Sequence, residues 1–91
     1  MQHTDNKSIH FRQVLGEIIR ELRKSKTGLS CNKFAGEYGL NDSNLGKIER
    51  AIIDCKFITL WKIIESMGID FADFVALFKE KLGKDFTFID I

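Results

Sequence analysis

Proline is absent from this 91-residue chain, so nothing in it interrupts a helix by removing an amide donor or by a ring clash. Cysteine is scarce. Cys31 and Cys55 stand 24 positions apart, without the close Cys or His pairs of a zinc site, and read as two reduced, partly buried thiols. No apolar run approaches the roughly 20 residues needed to span a bilayer, and residues 1–10 are too polar for a signal peptide, so no membrane partner and a cytoplasmic location are expected. No Gly-rich loop follows a strand to cradle a phosphate. His3 and His10 lie in or beside a polar first segment, and no Ser or Cys has a recognisable base arrangement, so neither enzymatic activity nor a cofactor is expected. A strong charge of one sign is also missing. The net charge is +1, with nine Lys/Arg against six Asp/Glu in residues 1–50 and five against seven afterwards. That asymmetry lets the first half meet a polyanion but falls short of a basic stripe.

What is present is the balance of a folded globular chain, 44% hydrophobic and 30% charged, at a length that supports one core and not two. Residues 1–8 have no apolar period and read as a flexible arm, 9–83 as the domain, and 84–91 as a tail. Within the domain, Phe11, Val14, Leu15, Ile18, Ile19 and Leu22 recur at spacings of three and four, predicting a helix over roughly 10–25 that Gly28 ends. Ser30 is a good cap for a short second helix through Tyr38, its hydroxyl accepting from the amide of Asn32 or Lys33. Gly39 closes that helix, and Asn41 caps a third that runs to about Arg50 with Leu45 and Ile48 inward. A fourth spans about Lys56 to Met67 before Gly68. A fifth begins at Asp70 and ends at Gly83, with Phe71, Phe74, Val75, Phe78 and Leu82 as its stripe. Aromatics at this spacing read as core in preference to base-stacking platforms. The tail from Asp85 to Ile91 is rich in β-formers, with apolar residues on both faces of a strand, and is expected to pair across a dimer.

The spacing between Cys31 and Arg50 has the strongest functional content. Small Ala35 allows two short helices to approach, Gly39 allows the turn between them, and Leu45 plugs the later helix onto the core. Such a helix, carrying short polar residues at its exposed N-terminal end, fits a major groove about 12 Å wide, where carboxamides and amines read base edges.

The segments Gly28-Leu29-Ser30-Cys31-Asn32-Lys33-Phe34-Ala35, Gly39-Leu40-Asn41 and Leu45-Gly46-Lys47-Ile48-Glu49-Arg50 resemble the Cro and phage-repressor (XRE) helix-turn-helix family. Leu60, Ile63, Met67-Gly68-Ile69 and Phe74 extend the likeness over roughly residues 11–78. The resemblance implies an all-α, five-helix lambda-repressor-like bundle. It also implies a bacterial or phage transcriptional regulator, a repressor that binds double-stranded operator DNA as a homodimer. By that resemblance Ser43, Asn44 and Lys47 are the readers. Asn32 supports them, while Lys33, Lys56 and the amide of Cys31 hold phosphates; Asn41 and Asp42 complete the DNA-facing set. Glu49 takes the family's acidic position, which pairs with a basic residue near the end of the first helix, here Arg23 or Lys24. Cys31 stands where the family has Gln, and Asp42 places a negative charge at the head of the reading helix. After that helix, Ile52 and Ile53 stand where the family tends to carry basic or polar residues; they read as core packing or, if exposed, favour the alternative of a protein-binding module, antitoxin-like or a phage regulator, with weak or absent DNA binding.

Overall fold

The computed structural model describes residues 5–89, folded as five α-helices: α1 (Asn6–Thr27), α2 (Cys31–Glu37), α3 (Asp42–Glu49), α4 (Phe57–Ser66) and α5 (Phe71–Leu82). α1 starts earlier than its apolar period, because the start is set by a cap. The Asp5 carboxylate accepts from the Ser8 amide at 3.0 Å and from the Ser8 hydroxyl at 2.8 Å. The part of the expected arm from Asp5 to Ser8 is therefore cap and first turn, and the rest of that arm lies outside the described residues. The other caps follow the sequence closely. Ser30 accepts from the Lys33 amide, Asn41 from the Asn44 amide, and Asp70 from the amides of Ala72 and Asp73.

Three helices end in the same way. After α2, α3 and α4 a residue at positive φ lets the next amide reach back five positions: Leu40 to Ala35, Ile52 to Lys47 and Ile69 to Ile64. Gly39 and Gly68 take the left-handed position in two of them; in α3 it is Ala51, at φ 62°. A Cβ there crowds the following carbonyl, so α3 closes at a cost that its neighbours avoid.

The core gathers Leu15, Ile18 and Ile19 of α1, Phe34 and Ala35 of α2, Leu45 and Ile48 of α3, Ile63 and Ile64 of α4, Met67, and Phe74 and Phe78 of α5. α1 is its spine, packing against α2, α3 and α5, while α2 packs on α3 and α4 on α5. α1 and α3 approach so closely at Gly16 that a Cβ there would stand 2.5 Å from the Ile48 carbonyl oxygen and 2.6 Å from that of Glu49. Not every aromatic joins the core. Phe57 is 64% exposed, because as the first residue of α4 it projects beyond the core. It leans on Trp61, which stacks on Phe71 with centroids 4.4 Å apart.

No strand forms among the described residues. The tail expected to be one turns inward on its own chain, setting Phe86 and Phe88 against the ring of Phe11 with centroids 6.2 and 5.4 Å apart. Residues 90 and 91 lie outside the described residues. No helix among those described is long and apolar enough to cross a membrane.

Candidate functional site

Only two residues of α3, Leu45 and Ile48, are buried, and they face the spine. Asp42, Ser43, Asn44 and Lys47 are all exposed. Residues 43, 47 and 50 follow at spacings of four and three, so Ser43, Lys47 and Arg50 share the outermost stripe of the helix. Asn44 lies on one flank of that stripe, and Gly46 and Glu49 on the other.

α2 presents its first turn beside the head of α3. The Cys31 thiol donates to the Asp42 carbonyl oxygen at 3.9 Å, and Asn32 and Lys33 are exposed next to it. Six of the residues singled out in the sequence, Cys31, Asn32, Lys33, Asp42, Ser43 and Asn44, thus cluster where the two helices begin, and Lys47 continues the surface by one turn. Asn41 is exposed as well, but its carboxamide oxygen accepts from the Asn44 amide at 2.9 Å, so the side chain holds the helix head in place. The Asp42 carboxylate occupies the first turn, where it complements the helix dipole. Lys56 is exposed at the head of α4 and lines neither cleft described next.

Two open clefts flank α3. One is lined by Gly39, Leu40, Asn41, Asn44 and Leu45 together with Thr59, Lys62 and Ile63 of α4. The other lies between α1, α2 and α3 and is lined by Arg20, Arg23, Cys31, Gly46, Glu49 and Arg50. Thr59, Lys62, Arg20 and Arg50 were not among the sequence candidates. In the linear chain Arg20 is one more charge on the polar face of α1, and only the packing of α1 on α3 brings it beside Arg50.

Beneath the second cleft sits the acid–base pair expected of Glu49, and its partner is Arg23; Lys24 points to solvent. Arg23 donates through Nε to Glu49 Oε2 at 2.8 Å and through Nη2 to Oε1 at 2.9 Å, a bidentate fork. Its Nη1 donates to the Leu29 carbonyl oxygen at 2.7 Å, and both side chains of the pair are only 6% exposed. The hydrogen bond to Glu49 is the main reason that the Arg23 pKa rises above its ordinary value. This pair ties α1 to the last turn of α3 and to the loop before α2.

Both thiols are held in the protonated form at neutral pH. Desolvation, followed by the Glu49 charge, raises the Cys31 pKa, and burial raises that of Cys55 to about 11. Neither is therefore poised as a nucleophile or thiolate ligand. Among the described residues no three His, Cys, Asp or Glu side chains stand close enough to hold a metal ion. No protein-family model matches the chain, and no curated protein is similar enough to it to count as a relative.

Proposed function

We propose that the protein is a sequence-specific DNA-binding transcriptional regulator of the Cro and phage-repressor kind, which lays α3 in the major groove of an operator as a homodimer. The observation that carries this reading is the division of α3 between a two-residue buried face and an outer face made of short polar or basic side chains. A carboxamide such as Asn44 can pair with the N6 and N7 positions of adenine, and an amine such as Lys47 with guanine O6 and N7. Ser43 and Asn32 support these contacts, Asp42 can accept from cytosine N4, and Lys33 and Lys56 neutralise phosphates on either side.

The test is to recover short genomic duplexes on the purified protein and titrate the best of them at low and physiological salt. A palindromic sequence whose affinity falls steeply with salt is expected, because phosphate contacts release counterions. Absence of any enrichment would sink the proposal.

A second reading rests on a different observation. Ile58 is 72% exposed and adjoins the exposed Phe57 and Trp61, while Ile52 is also exposed between α3 and α4. Apolar surface of this kind suits a protein partner, whose binding would depend little on salt.

A further inference from the structure

The cleft lined by Arg20, Cys31, Gly46 and Arg50 contains one acid, Glu49, and Arg23 engages both of its carboxylate oxygens. That leaves Arg20, from α1, and Arg50, from the C-terminal cap of α3, as two arginines lining the one cleft, with no ion pair joining either to a carboxylate among the described residues. Gly46 makes room for this arrangement. The Arg50 guanidinium lies along the bare flank of α3, with Nη1 3.1 Å from where a Cβ at position 46 would stand. Arg50 also shares the outer stripe of α3 with Ser43 and Lys47, so the cleft opens on the flank of the surface proposed to enter the groove.

We infer that this cleft is a binding site for one backbone phosphodiester of duplex DNA, gripped by Arg20 and Arg50 together beside the groove that α3 enters. Planar guanidinium forks match the geometry of phosphate oxygens, and two of them converging from different helices fix its position as a single ammonium could not. The site rests on the DNA-binding reading and adds to it the register of α3 along the duplex, since phosphate contacts position a reader while base contacts specify the sequence. Arg20 and Arg50 are both exposed, so replacing them leaves the core and the Arg23–Glu49 pair intact.

The experiment compares the parent protein with Arg20→Gln, Arg50→Gln and the double variant, by fluorescence anisotropy on a short labelled duplex of random sequence over a series of salt concentrations. Lys79→Gln with Lys81→Gln, on the exposed face of α5, removes the same charge away from the cleft. Each arginine variant is expected to bind about 10- to 100-fold more weakly. Because both arginines hold one phosphate, the double variant lowers the slope of log affinity against log salt by about 0.9, and not by twice that amount. Arg20→Lys and Arg50→Lys should keep most of the slope while losing affinity, because the charge remains and the fork does not. Steep salt-dependent binding by the parent, with arginine variants no weaker than the α5 control, would overturn the cleft and leave the DNA reading standing. A parent that binds no duplex at any salt would overturn both. Stabilisation of the parent by inorganic phosphate at matched ionic strength, without binding to the duplex, would replace the phosphodiester with a free anion.

Discussion

Replacing Gly16 with alanine tests how α3 is held against the spine. The new methyl carbon would stand 2.5 and 2.6 Å from the carbonyl oxygens of Ile48 and Glu49, and 2.9 Å from the Glu49 carbonyl carbon. All three are backbone atoms, so no side-chain rotation relieves the overlap, and the two helices must part by about 0.9 Å to reach ordinary contact. A gap of that size gives up roughly a quarter to a half of the dispersion energy at each contact along the seam. Overpacking of cores costs about 1–3 kcal/mol, and a clash with two unyielding carbonyls belongs at the upper end. Helix propensity works the other way, favouring alanine by about 1 kcal/mol. The expected balance is a loss of about 2 kcal/mol, or roughly 10 °C in Tm for a domain of this size. Gly36 supplies the control, since a Cβ there meets nothing within 4 Å; Gly36→Ala should gain about 1 kcal/mol from propensity alone. Urea and thermal unfolding followed by circular dichroism read both changes. If Gly16→Ala is as stable as the parent while Gly36→Ala gains, the close approach of α1 to α3 is not what the geometry says.

Three other perturbations address different forces. Glu49→Gln strands a buried guanidinium charge, and should cost about 3–5 kcal/mol in urea unfolding, whereas Arg23→Met combined with Glu49→Leu should recover most of it; a single change costing under about 1 kcal/mol would contradict the burial of the pair. Ala51→Gly relieves the left-handed residue that ends α3 and should raise stability by about 1 kcal/mol, an expectation that a lower Tm refutes. The Cys55 pKa is raised on folding, so the native state holds that proton more tightly. Its contribution is complete below the ordinary thiol value of 9.0 and is lost as pH climbs through about 11. Parent stability should therefore fall more steeply over that window than Cys55→Ala stability, and equal slopes would deny the burial.

The five helices were legible because each carries an apolar stripe and most carry a capping side chain at the start or a glycine at the end. Two features hid from periodicity. The beginning of α1 depends on Asp5 and Ser8, polar residues that contribute no period, although an Asp three residues before a Ser amide is a cap that could have been read. The end of α3 carries no glycine, since Ala51 accepts the strained conformation in its place. Gly16 lies beside the apolar stripe of α1, where helical period gives it no special mark, and only packing shows that the backbone of α3 approaches it. The same holds for the candidate site. Asp42, Ser43, Asn44 and Lys47 are neighbours along one short helix and could be grouped from their spacing. Arg20 and Arg50 are 30 positions apart, and only the crossing of α1 over α3 brings them to one cleft.

That crossing also decides how sharply any ligand of α3 can be read. Eight residues are too few for a helix to persist alone in water, so the orientation of its outer stripe is imposed from behind. Three constraints impose it: the plug of Leu45 and Ile48, the contact with Gly16, and the fork from Arg23 to Glu49. Two of them meet the last turn of α3, whose carbonyls of Ile48 and Glu49 face Gly16, while the Asn41 cap and the Cys31 thiol fix the first. The side chains of Ser43, Asn44 and Lys47 make none of these contacts, which fall to the inner residues, the Asn41 cap and the Cys31 thiol. Changes at Asn44 or Lys47 should then alter recognition without altering stability, whereas changes at Gly16 or Glu49 should alter both together. A Lys47→Ala protein that unfolds in less urea than its parent would show that reading and scaffold are not separated in this helix.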